Sequence, residues 1–94
     1  MAVNVKLFGV LRAITGKDEL EMEANSVREV LDALVDGYGD TVRESLKDER
    51  GVALEFLQIF VNGKLCGNMD MPLGNGDRVF LIPPIEGGGA ASVN

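Results

Sequence analysis

GDRVFLIPPIEGGG, residues 76–89, joins a strand, its stop and a tail with almost no side chains. RVFLI (residues 78–82) is apolar at every position after Arg78, hence on both faces, the pattern of a strand at the centre of a sheet. Pro83 and Pro84 cannot donate ladder hydrogen bonds and hold the chain extended, so the strand stops there and the chain is released into solvent. Gly87, Gly88 and Gly89 follow Ile85 and Glu86. Glycine costs conformational entropy on ordering and buries no side chain, so this run does not stabilise a fold. Its physical use is access. A backbone without Cβ atoms threads a narrow channel and presents its terminal atom to a partner's active site. A flexible linker is the other reading of the same run.

Upstream, VNVKLF (residues 3–8) alternates, with Val3, Val5 and Leu7 on one face of a strand. GVLRAITG (residues 9–16) has room for a short helical turn. ELEMEA (residues 19–24) alternates strictly, setting Leu20, Met22 and Ala24 against Glu19, Glu21 and Glu23. The three glutamates keep a sheet face wet, or form a metal site. In SVREVLDALVDGYG, Ser26 caps a helix and Glu29 completes a capping box. Val27, Val30, Leu31, Leu34, Val35 and Tyr38 recur at helical spacing, and Gly37 or Gly39 ends the helix. Residues 40–51 are polar apart from Val42 and Leu46, and predict a short second helix or a loop. LEFLQIFVNG (residues 54–63) sets Leu57, Ile59 and Val61 against Phe56, Gln58 and Phe60, and Asn62-Gly63 is a hairpin turn. KLC returns as a short strand, and Pro72 argues against a central strand in the turn-rich segment that follows.

This order predicts an α+β domain of the β-grasp, ubiquitin-like kind. It has a mixed sheet of about five strands, the first and last parallel at its centre, and one long helix across one face. Residues 1–86 form the domain, and residues 87–94 a flexible tail. The opposite face has no helix to cover it. The rings of Phe60 and Phe80 either make a protein-docking patch there or lie under bulges and loops.

With 94 residues there is one domain, which buries roughly 60–65% of its unfolded surface. The net charge of −6 disfavours a nucleic-acid partner and suits either a partner with a basic surface or simple solubility. Cys66 is the only cysteine and there is no histidine. That excludes an internal disulfide, a Cys–His nucleophile pair, a zinc site and a four-thiolate iron–sulfur cluster. Cys66 is read as a small strand residue rather than a reactive thiol. No apolar run has the length of a signal peptide core or a membrane span, so the expected location is the cytoplasm, with no membrane partner.

VKLFGVLRAITG, SVREVLDAL, VNG and LGNGDRVFLIPPIEGG together resemble the MoaD/ThiS family of ubiquitin-like sulfur carriers. The resemblance runs from Val3 to Gly88, and its most specific part is L-x-x-G-D-x-V-x-x-x-P-P-x-x-G-G. Length and the segment at residues 40–51 resemble MoaD, the small subunit of molybdopterin synthase, more than the shorter ThiS. The resemblance implies a cosubstrate, not an enzyme, with no bound cofactor. An E1-like enzyme would use ATP to adenylate the terminal glycine, Gly88, and a sulfur donor would turn it into a thiocarboxylate. The tail would then enter the large synthase subunit and deliver sulfur to the molybdopterin precursor. Gly87, Ile85, Pro84, Pro83, Phe80 and Phe60 would meet the partners.

The chain departs from that family pattern by continuing GAASVN after Gly88. The Gly88 carbonyl is then an amide, which cannot be adenylated. A protease, as in family members opened by a zinc-dependent JAMM-type enzyme, would remove residues 89–94. Otherwise the end lies at Gly89 after trimming, the carrier serves another thiolation pathway, or the extension marks a retired copy acting as a binding module. Two further functions stay open: a protein modifier joined through the same glycine to lysines, and a non-covalent interaction module.

Overall fold

The computed structural model describes residues 1–46 and 57–83. Strand β1, Ala2–Leu7, follows its alternation: Val3, Val5 and Leu7 are wholly buried. Gly9 then turns the chain at φ 59°, a conformation that favours glycine, into helix α1, Val10–Thr15. Strand β2, Glu19–Glu23, runs back antiparallel to β1 with its glutamates exposed.

Helix α2, Val27–Tyr38, starts where its cap predicts. The Glu29 N–H donates to Ser26 Oγ at 3.2 Å, and Glu29 Oε1 accepts from the Asn25 N–H at 2.9 Å. The return bond of the capping box thus reaches one residue before the cap. Val27, Val30, Leu31 and Leu34 are buried, while Val35 and Tyr38 are half-buried at the margin. Gly39, not Gly37, closes the helix at φ 81°. Of the two readings for residues 40–51, a helix forms: α3, Asp40–Leu46, anchored by buried Val42 and Leu46. The sheet is completed by β3, Gln58–Val61, β4, Lys64–Leu65, and β5, Arg78–Ile82. Leu54 and Phe56, at the start of the third predicted strand, lie outside the described residues.

Strand order is β2-β1-β5-β3-β4. β5 is parallel to β1 and antiparallel to β3, so the RVFLI strand is central as its sequence requires. Leu7, Leu81 and Ile59 form one cross-sheet row, and Val5, Val79 and Val61 another. Both rows join the buried α2 residues in one core. Each fully buried aliphatic side chain contributes about 1.5–3 kcal/mol. Asn62 (φ 53°) and Gly63 (φ 88°) make the β3–β4 turn, both positive as a type I′ hairpin needs. This is the β-grasp, ubiquitin-like fold, with α2 its one long helix and α1 and α3 short.

Candidate functional site

The face of the sheet turned away from α2 takes the other half of every strand's alternation. In register across all five strands, Glu19, Lys6, Phe80, Phe60 and Leu65 form one row. Asn4 and Arg78 pair in the row on one side of it, and Gln58 and Ile82 on the other. Phe60 and Phe80 are therefore brought side by side, both half-buried, and Leu65 is 67% exposed. Phe8 extends the patch: its ring centroid lies 5.7 Å from that of Phe80 at 42°. Among the described residues the apolar stripe runs over β5, β3 and β4, flanked by Lys6 and Arg78 and then by the glutamates of β2.

The Asn-Gly and Gly-Asp motifs fix this register. The Arg78 N–H donates to Asn62 Oδ1 at 3.0 Å, and Asn62 Nδ2 donates to Asp77 Oδ1 at 3.1 Å. Asp77 Oδ2 accepts from the Gly74 N–H at 2.7 Å. These bonds, the Gly74 N–H foremost, hold the Asp77 carboxyl below its ordinary pKa. The same loop is stitched to β1, since the Asn4 N–H donates to the Asp77 carbonyl and the Gly76 N–H to that of Ala2. The segment before it is tied to α2 by Arg28 and Asp70, 2.8 Å apart. That contact raises the Arg28 pKa and lowers that of Asp70, in each case chiefly through the shared hydrogen bond.

Pro83 departs from expectation. It is buried, and a Cβ on Gly9 would sit 3.4 Å from its Cγ. The chain is thus not released at Pro83, nor does this ring stand free for a partner. At that distance of 3.4 Å a Cβ would be in ordinary contact, so it is the φ of 59° that calls for glycine at this β1–α1 corner. Pro84, Ile85, Gly87 and Gly88, and with them the tail at residues 87–94, lie outside the described residues. Cys66 sits just past β4 rather than in it. It is half-buried, with its thiol donating to the Asn68 carbonyl at 3.1 Å.

Sequence reading missed four members of the face: Phe8, Leu65, Lys6 and Arg78. Continuing the two-residue period from Asn4 through Lys6 reaches Phe8, so that signal was present. Among the described residues no group of three or more His, Cys, Asp or Glu could hold a metal ion, and no helix is long and apolar enough to cross a membrane. An apolar stripe with a charged border is the kind of surface that a protein partner can cover.

Known proteins bear on this arrangement. Small archaeal modifier protein 1 from Haloferax volcanii superposes with a TM-score of 0.83 over 93% of this chain and 99% of its own, at 22% identity, a likeness of fold. The protein of that name from Methanosarcina acetivorans is 28% identical, with a TM-score of 0.77 over 92% and 95%. A chain from the complex of subunits 1 and 2 of the molybdopterin-converting factor of Helicobacter pylori is 26% identical. Its TM-score is 0.61, over 90% of this chain and 96% of that one. No curated protein sequence matches. The sequence profile of the ThiS family matches residues 5–88. The chain belongs to the ThiS family, small ubiquitin-like carriers and modifiers that are not themselves enzymes.

Proposed function

We propose that this protein carries sulfur on Gly88 for molybdopterin synthesis, after a protease of the JAMM type removes residues 89–94. The observation that carries the reading is the extent of the family match, which ends on Gly88 while the sequence runs on to Asn94. Trimming converts the Gly88 amide into a carboxylate. That carboxylate attacks the α-phosphorus of ATP on an E1-like enzyme and pyrophosphate leaves. Sulfide delivered by a donor then displaces AMP, leaving a thiocarboxylate. The likeness to subunit 1 of a molybdopterin-converting factor supports a large synthase subunit as the next partner. The reaction is placed in the cytoplasm. In this reading the open face docks each partner, with Phe60 and Phe80 at its centre, while Pro84, Ile85 and Gly87 line the partner's channel.

The likeness to an archaeal modifier favours one second reading, in which the activated glycine is joined to lysine amines. Intact mass of the protein recovered from its own host separates these. The carrier reading expects a chain ending at Gly88, part of it with one oxygen replaced by sulfur. High-mass conjugates would support the modifier. A full-length chain under conditions of cofactor synthesis would refute both.

A further inference from the structure

Covering the aromatic stripe also covers what borders it. Asn4, Lys6, Glu19, Arg78 and Phe80 line a shallow recess of about 140 Å³ on the same face, where a single water needs only about 10–15 Å³. Two of its five walls are cations in a chain with 15 acidic and nine basic residues. The described ion pairs are Met1 with Glu23, Arg28 with Asp70 and Arg43 with Asp40. Neither Lys6 nor Arg78 is in one, although Lys6 stands opposite Glu19 in the sheet.

We propose that Lys6 and Arg78 are the charge-selective part of the docking face and receive a carboxylate side chain of the adenylating enzyme, whose flanking apolar residues lie on Phe80 and Phe60. The proposal rests on the carrier reading for the identity of that partner. Asn4 pairs with Arg78 and Lys6 with Phe80, so the two cations lie one row apart on adjacent strands, about 8 Å between Cα atoms. An Arg fork and a Lys ammonium at that spacing converge on one carboxylate. The Arg78 backbone is pinned on both sides, its N–H on Asn62 Oδ1 and its carbonyl on the Asn62 N–H. Glu19 leaves the recess with one net positive charge and repels an incoming anion from its own wall. The carboxylate therefore sits toward Arg78, with Lys6 second. A wholly apolar partner surface would desolvate two cations and offer nothing in return, which selects against it. A partner carboxylate meets them beside the Phe80 ring, where displaced water makes the attraction stronger than in bulk solvent.

The test is calorimetric binding of the full chain to the adenylating enzyme of its host, at about 50 and 300 mM salt. Arg78→Glu is expected to raise Kd about tenfold or more at low salt and to flatten its salt dependence. Lys6→Glu should do so less, and Arg78→Lys should stay within about threefold. Lys64→Glu, a like charge change opposite buried Val61, should stay within about twofold. Melting curves of the exposed Arg78 variants should match the unaltered chain. Equal effects of Arg78→Glu and Lys64→Glu would overturn the proposal, leaving only net charge; so would an Arg78→Glu variant that binds normally. No binding by the unaltered chain would overturn the carrier reading and this proposal with it. Normal binding without adenylation of the trimmed chain would overturn the carrier reading alone.

Discussion

Phe80 and Leu81 are neighbours on the central strand, and replacing each with alanine should produce opposite phenotypes. Leu81 is wholly buried between Leu7 and Ile59. Its truncation leaves a cavity where three strands meet, at a cost of about 3–5 kcal/mol. A domain of this size has about 5–15 kcal/mol of stability in total, and each kcal/mol is worth about 4–8 °C. Leu81→Ala should therefore melt at least about 12 °C lower, while its remaining folded fraction binds normally. Phe80 faces the other way and is half-buried, in contact with Phe8 and beside Phe60. Losing one ring pair and partial burial should cost about 1–2 kcal/mol of stability. As a central aromatic anchor it should cost about 2 kcal/mol or more of docking energy, about thirtyfold in Kd. The assay is calorimetric melting of both variants alongside titration into the adenylating enzyme. If Phe80→Ala melts as low as Leu81→Ala, or binds as the unaltered chain does, the division of the strand into a core side and a docking side is wrong.

Three further outcomes are expected. In the chain trimmed to Gly88, Gly88→Ala should slow adenylation about 10–100-fold, because a Cβ misplaces the carboxylate in its channel; pyrophosphate release measures it. Ser26→Ala removes the acceptor for the Glu29 N–H and should lower stability by about 1 kcal/mol in urea titration, with Ser26→Asp restoring it. Asp77→Asn should destabilise the protein at neutral pH. The folded-state pKa of Asp77 is depressed, so its stabilisation is present above the unfolded value of about 4 and is lost as pH falls below it. Urea midpoints of the two proteins should therefore converge on acidification. A gap of constant size would show that the carboxylate charge is not what Gly74 and Asn62 hold.

Much of this was legible because each element declares itself locally. Periods of two and 3.6, the Ser26 cap and the Asn62-Gly63 turn are short-range signals. RVFLI reads as central because both of its faces are apolar. The helix at residues 40–46 was ambiguous because two buried apolar residues in seven give a weak stripe; packing decided it, not propensity. The cationic flank of the open face depends on register between strands over 70 residues apart in sequence. Asn4 opposite Arg78 follows from the Asn62–Asp77 bonds and from the loop stitched onto β1, and no local pattern encodes it.

Pro83 carries the remaining lesson. Two prolines read as an exit, and the first proves to be a seat. The Phe8 ring meets that of Phe80 at a tilt while Gly9, the next residue, lies beside Pro83. One corner of the chain thus touches both the open aromatic face and Pro83, from which the sequence continues to Gly88. A carrier whose chemistry is done by its partner needs its tail to start from a fixed point relative to the surface that the partner grips. A freely jointed root would spread the glycines over many directions and lower the effective concentration of the terminal carboxylate at the partner's active site. Burying Pro83 beside Gly9 fixes the last described residue, so in the proposed reading the surface that the partner grips and the point from which the tail starts share one packed corner.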